Sequence, residues 1–350
     1  MSTMQAARLL APGRPLRIEE LPVPEAGPGE ALVRVRACGL CGTDLHLAVD
    51  GDLPVEHTPI TLGHEAAGVV TALGPGAGGV AEGQRVALFP AASCGRCRFC
   101  LAGREALCDS SKVYGMARDG ALAEYVVVPA RSLLPLPDDV AFDIGAIVTD
   151  GVATPFHALR ARGGLRAGES VGVFGCGGLG THAVALARLM GAAPIVAVDI
   201  DAGARERALA LGADVALDPR EGDLAKAIRA VAPGGLELAL ELVGLPDTVE
   251  QALRSLGKRG RAVVVGVGPS RASLPPLAAF VGREQAVLGS FGADRADSED
   301  LYALIAAGRL DLRDSISARY PLAEADAALA HLARERGRVV RIVVEPEAER

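Results

Sequence analysis

The sequence has 350 residues, too long for one core of ordinary size, and points to two domains. Half of the residues are hydrophobic and 23% are charged, which excludes a disordered chain and predicts a soluble globular one. A net charge of −7 argues against nucleic acid or anionic membrane as a partner, and 3% aromatic residues with no tryptophan argue against an aromatic substrate cage.

Residues 1–15 lack a long apolar stretch, so no signal peptide is expected, and runs such as 262–268 are too short to span a bilayer. A cytoplasmic protein is the expectation. Glycine and proline are frequent up to residue 135, and short β-type runs recur at 31–37, 68–73, 84–89 and 123–128. That pattern predicts an irregular, mostly antiparallel β domain whose one helical stretch lies around 43–48. From about residue 153 the texture changes. Strand-like runs at 170–174, 194–198, 213–217, 236–242 and 261–265 alternate with helical ones at 179–190, 202–211, 224–231 and 247–256. Such alternation predicts a parallel sheet with crossover helices, and a run at 286–290 is a candidate for its edge. Beyond 291 a helix at 297–307 and a final strand at 339–344 are expected, with 345–350 a frayed charged end.

Seven cysteines, an odd number without a secretion signal, argue against a disulfide framework. Cys94, Cys97, Cys100 and Cys108 fall within one short segment. Four thiolates at such spacing converge on one tetrahedral ion, and soft sulfur suits zinc. Four protein ligands leave no open position, so the site is expected to be structural. The alternatives are free thiols in a loop, an iron–sulfur cluster, or a nucleic-acid-binding zinc knuckle, the last disfavoured by the acidic chain.

Upstream lie Cys41-Gly42-Thr43-Asp44-Leu45-His46 and Gly63-His64-Glu65. Alone, each suits packing as well as chemistry. Downstream, Gly175-Cys176-Gly177-Gly178-Leu179-Gly180 follows a predicted strand and opens a predicted helix, the context in which G-x-G-x-x-G marks dinucleotide binding. Gly175 permits the tight turn, Gly177 the approach of the pyrophosphate, and Gly180 the packing of helix on strand. Asp199 ends the next strand, where an acidic group binds the adenosine ribose hydroxyls and repels a 2′-phosphate. NAD is therefore expected over NADP; the other reading of Asp199 is a helix cap.

Together the 41–46, 63–65, 94–108 and 175–180 segments resemble, in order and spacing, the zinc-containing medium-chain dehydrogenase family, to which the zinc alcohol dehydrogenases belong. The resemblance runs over essentially the whole chain. It implies an α/β fold: a Rossmann doubly wound parallel sheet over 153–290 that binds NAD, and an irregular, GroES-like β-rich catalytic domain over 1–152 and 291–350. It implies two zinc ions per chain, the structural one at the four-cysteine segment and a catalytic one at Cys41 and His64. The third catalytic ligand matches Asp150, in Val148-Thr149-Asp150-Gly151, where many members carry cysteine; the other reading of Asp150 is a helix cap. Glu65 is implied as a transient ligand or a partner of the ligands. Thr43 would hydrogen-bond the substrate oxygen and His46 would take the released proton, unless they are a turn residue and a surface histidine. With the glycine motif, including Gly178 and Leu179, the coenzyme would meet Thr154, Val265 and Val267 at the nicotinamide and Arg341 at the pyrophosphate. Gly42 stands where many members carry a cation. The implied activity is hydride transfer between NAD and a small alcohol or its aldehyde or ketone, in a homodimer or homotetramer. The alternatives are a zinc-free quinone or enoyl reductase of the same superfamily and a catalytically silent NAD-binding protein.

Overall fold

The computed structural model of the chain describes residues 2–346, so the expected frayed end falls outside the described residues from 347 on. The chain divides into two compact units, Met1–Ala153 with Ala293–Arg350, and Thr154–Gly292.

The first unit is built on the strand Glu30–Leu40, whose side chains alternate between half-buried and buried until the run 37–40, which is buried throughout. It pairs antiparallel with Glu65–Leu73, Tyr125–Pro129 and Arg341–Glu345. The sheet continues through Arg85–Leu88 and Leu133–Pro135 on one side and Ile316–Pro321 on the other. Val33, Val35, Leu45, Leu62, Val86 and Ile342 share its core. Register matters more for function than the count of strands. Gly39 lies opposite Glu65, and Leu40 lies opposite Ile342. Three strand ends therefore bring residues 41, 65 and 341 to one place, although they are far apart in sequence.

Helical backbone runs from Phe142–Ile147 through Val148–Val152, Ala153–His157 and Ala158–Arg162, with π-helical turns in the second and fourth segments. The sequence pattern does not announce this stretch, because Gly145, Gly151 and Pro155 read as breakers. The two glycines answer to packing. A Cβ on Gly145 would stand 2.7 Å from Leu136 Cδ1, and one on Gly151 would stand 2.5 Å from Arg341 Nε. The Gly145 carbonyl also accepts a hydrogen bond from Tyr302 Oη at 2.8 Å. The strand Ile316–Pro321 and the helix Ala325–Arg334 likewise fall in a tail where only a helix at 297–307 and a strand at 339–344 were expected; those two are observed as Arg295–Ala306 and Arg341–Glu345.

The second unit holds, among the described residues, a six-stranded parallel sheet in the order Val215–Leu217, Ile195–Val198, Val171–Phe174, Leu236–Glu241, Leu256–Val264, Ala286–Gly289. Val171–Phe174 and Ile195–Val198 are buried along their whole length, as parallel strands covered on both faces must be. Helices Gly178–Leu189, Ala202–Ala210, Leu224–Val231 and Pro246–Ser255 supply the crossovers. Asp201 and Asp223 cap two of them by accepting from backbone N–H groups, and Pro246 opens a third. The strand order reverses between Val171–Phe174 and Leu236–Glu241. That reversal opens a crevice beyond the carboxyl ends of the strands, where ligands bind in doubly wound sheets. No helix among the described residues is long and apolar enough to cross a membrane.

Gly145→Val should lower stability by about 1–3 kcal/mol, the usual cost of overpacking. The midpoint of urea unfolding of the intact chain reads this out; an unshifted midpoint would contradict the close packing against Leu136.

Candidate functional site

Cys41 leaves the strand Glu30–Leu40 and caps the short helix Gly42–Leu45. Its Sγ accepts from the Thr43 N–H at 3.2 Å, while the Asp44 carboxylate accepts from the Cys41 N–H at 2.9 Å. This reciprocal capping box fixes the direction of the thiol. His64 follows Gly63, whose φ of +93° and crowding by Cys38 Sγ, 2.6 Å from a built Cβ, leave room for glycine alone. His64 Nε2 lies 3.1 Å from Cys41 Sγ and 3.9 Å from Asp150 Oδ2. On the other side of the ring, Nδ1 lies 4.0 Å from Asp44 Oδ1. Glu65 is fully buried, with Oε1 3.3 Å from Arg341 Nη2. The donor atoms of Cys41, His64, Glu65 and Asp150 all lie within 4.8 Å of one another.

The electrostatics of this cluster are unfavourable for the protein alone. Burial pushes the Cys41 thiol up, His64 opposes, and Asp44 and Asp150 push it further. Burial also raises Asp44. It raises Glu65 to about 8, because the Arg341 charge offsets burial only in part and Asp150 adds to the rise. Burial by itself would lower the His64 ring, but the Cys41 charge and the nearby Asp150 carboxylate hold it well above its usual value. A divalent cation relieves such a crowd of buried anionic donors. One thiolate, one imidazole and one carboxylate are a zinc-type set with room for a further ligand. Asp44 Oδ1 faces the second ring nitrogen of His64 across 4.0 Å, a charge contact without a hydrogen bond.

Cys94, Cys97, Cys100 and Cys108 come together around the short helix Arg98–Leu101, again with all donor atoms within 4.8 Å. Cys97 Sγ is 3.6 Å and Cys94 Sγ is 4.0 Å from Cys100 Sγ. A tetrahedral ion about 2.3 Å from each sulfur sets the sulfurs about 3.8 Å apart, so the spacing fits zinc. Backbone N–H groups support the thiolates. The Cys94 N–H points to Cys108 Sγ at 3.2 Å and the Cys97 N–H to Cys94 Sγ at 3.4 Å. The hydrogen bond from Cys100 N–H to the Cys97 sulfur pulls that thiol down to about 6. Among the described residues all seven cysteines are unpaired.

Thr43 lies in the helix Gly42–Leu45 that Cys41 caps, and His46 follows that helix. His46 is half-buried, and its Nδ1 sits 2.9 Å from Asp52 Oδ1 and 3.5 Å from Asp50 Oδ2. Neither carboxylate stands out in the sequence, because their bond to His46 closes a loop that no motif marks. Arg341, expected at the pyrophosphate, has its buried guanidinium against Glu65.

In the second unit the glycine motif occupies the turn from Val171–Phe174 into Gly178–Leu189. Gly175 has φ +91°, and a side chain at Gly180 would overlap the Gly175 carbonyl. The Asp199 carboxylate accepts from Cys176 N–H through Oδ2 at 2.7 Å and from Asp201 N–H through Oδ1 at 2.8 Å. An ionised carboxylate offers about four lone-pair positions, so about two remain for a diol. Val265 is buried and Val267 exposed, and Gly266 and Gly268 between and beyond them abut the Gly244 backbone. Thr154 is buried in the segment Ala153–His157.

Two family models match the chain: the alcohol dehydrogenase GroES-like domain over residues 27–138 and the zinc-binding dehydrogenase domain over 178–307. An alcohol dehydrogenase of Geobacillus stearothermophilus is 34% identical, over 88% of this chain and 90% of its own length. An L-threonine 3-dehydrogenase of Symbiobacterium thermophilum is 32% identical, over 99% and 98%. A protein of Sinorhizobium meliloti described as a zinc-binding dehydrogenase, solved bound to NADP, superposes with a TM-score of 0.90 at 35% identity, covering 99% of this chain and all of that one.

Cys97→Ala should lower the melting temperature and the zinc content by about one ion per chain; lost turnover at unchanged stability and zinc content would contradict a structural role. A pH effect follows from Glu65 in the chelator-treated protein. The folded form keeps the Glu65 proton up to about pH 8, whereas the unfolded chain loses it near 4.5. The folded state thus holds more protons between these values, and stability falls as pH rises through that window. Glu65→Gln should flatten this fall in unfolding experiments; an equally steep fall in the variant would exclude Glu65 as its source.

Proposed function

This chain belongs to the zinc-containing medium-chain dehydrogenase family, and we propose that it interconverts a small alcohol and its aldehyde or ketone with NAD as hydride acceptor and donor. The observation that carries this reading is the buried convergence of Cys41, His64, Glu65 and Asp150. Cys41, His64 and Asp150 would hold the ion, with Glu65 beside them as an alternate ligand or counter-charge to Arg341. Zinc in such a site supplies a Lewis acid that polarises the substrate oxygen and lowers the pKa of its hydroxyl.

The chain's own residues then handle the proton. Thr43 is assigned to hydrogen-bond the substrate hydroxyl and His46 to accept the proton that leaves it. In the tautomer that donates from Nδ1 to Asp52, His46 keeps a lone pair on Nε2 for that purpose. On the coenzyme side, the helix N-terminus after Gly177 would face the pyrophosphate with free N–H groups. Gly175, Gly178, Leu179 and Gly180 shape that turn. Arg341 would meet the pyrophosphate in addition to Glu65, and Thr154, Val265 and Val267 would meet the nicotinamide. Asp199 is assigned to the ribose diol, which supports NAD over NADP. A zinc-free reductase of the same superfamily would have no use for either ligand cluster.

A homo-oligomer, dimer or tetramer, is supported by the edge strand Ala286–Gly289, near which Leu277, Val281 and Phe291 are exposed. Seven unpaired thiols suit the reducing cytoplasm.

Metal analysis should find about two zinc ions per chain, and a panel of small alcohols with NAD should yield NADH absorbance. Cys41→Ser should remove one ion and the turnover together. A chain holding one ion that is insensitive to Cys41→Ser would sink the catalytic-site assignment.

A further inference from the structure

Two cations crowd the strand end that carries Asp199. Arg205 Nη1 donates to the Asp199 carbonyl at 2.8 Å and to Asp218 Oδ2 at 3.0 Å. Arg220 Nη2 donates to the Ile200 carbonyl at 2.7 Å and to Asp218 Oδ2 at 2.5 Å, while its Nε reaches Asp218 Oδ1 at 2.9 Å. Asp218 follows the strand Val215–Leu217, next to Ile195–Val198 in the sheet. Its side chain is 6% exposed, whereas that of Arg220 is 65% exposed. One carboxylate therefore holds two guanidinium groups beside the backbone of residues 199 and 200. The hydrogen-bonded Arg220 guanidinium in turn keeps the Asp218 carboxyl far below the usual carboxylate range.

Guanidinium groups are the side chains best suited to a phosphate, which they meet with paired donors. Here Arg205 Nη1 and the Nε and Nη2 of Arg220 already have partners: two backbone carbonyls and Asp218. A 2′-phosphate arriving beside Asp199 would meet two carboxylates, while Arg205 and Arg220 are turned toward Asp218 and the backbone.

Building on the assignment of Asp199 to the adenosine ribose, we propose that Asp218 is a specificity-determining residue for the coenzyme. It engages Arg205 and Arg220 in charge-assisted hydrogen bonds and so withholds those donors from the 2′-phosphate of NADP. Asp199 rejects that phosphate directly, and Asp218 does so by occupying its counter-ions. Removing the Asp218 charge turns the same arginines into a phosphate-binding fork.

The zinc-loaded enzyme is assayed with NAD and with NADP, and adenosine 2′,5′-bisphosphate is tested as a competitor against AMP. Asp218→Asn should raise the ratio of kcat/KM for NADP to that for NAD by about tenfold or more, the scale of one charge-assisted contact. The gain should lie in the KM for NADP and be matched by tighter binding of the bisphosphate. Adding Arg220→Gln to Asp218→Asn should remove most of the gain. Should Asp218→Asn fold poorly, Arg220→Gln alone serves: it leaves the Asp218 charge less compensated and should lower the ratio. An unchanged ratio in Asp218→Asn, a gain that survives the loss of Arg220, or an unchanged ratio in Arg220→Gln alone would each overturn the proposal. Asp199→Asn separates the two layers. If it leaves the ratio unmoved, the ribose assignment fails; if it shifts the ratio and Asp218→Asn does not, only the role of Asp218 fails.

Discussion

Burying charge is the constraint around which the first unit is organised. Asp44 and Glu65 are fully buried, His64 and Arg341 nearly so, and Cys41 lies among them. A desolvated charge is costly unless it is paired or ligates a metal. Arg341 answers Glu65, the capping box answers Asp44, and the remaining donors turn toward one another. The strand register follows from the same demand. A slip of one residue between Glu30–Leu40 and Glu65–Leu73 would carry Glu65 to the opposite face of the sheet and leave Arg341 buried without its counter-charge.

How much of this is legible in the sequence depends on how local the chemistry is. The four cysteines of the 94–108 segment announce themselves because their ligand geometry is made by short loops. The glycine motif with Asp199 is legible for the same reason, since one βαβ unit holds both. Cys41 and His64 become meaningful only as a set, in the order and spacing of a family. Arg341 beside Glu65 is illegible, because only the pairing of the last strand with an early one joins them. The helical stretch 142–162 is hidden differently. Gly145 and Gly151 look like interruptions, yet they leave the space that Leu136 and the Arg341 guanidinium fill. Local propensity and tertiary packing disagree at those positions, and packing prevails.

The two units solve recognition by different means. Around Cys41 the important groups are buried and few. At the strand end near Asp199 they are partly exposed and numerous, and the balance of charge there rests on which carboxylate occupies which guanidinium.

The strand Arg341–Glu345 lies between Glu30–Leu40 and Ile316–Pro321, inside the sheet rather than at its border. A chain emerging from the ribosome can complete the unit Thr154–Gly292 and the four-cysteine lobe while synthesis continues. It cannot close the first sheet until residues 341–345 have followed. During that interval Cys41, His64 and Glu65 would lie in a sheet missing the strand that carries Arg341. Translation order thus separates the two clusters in time, and the centre assigned to chemistry matures after the four-cysteine lobe.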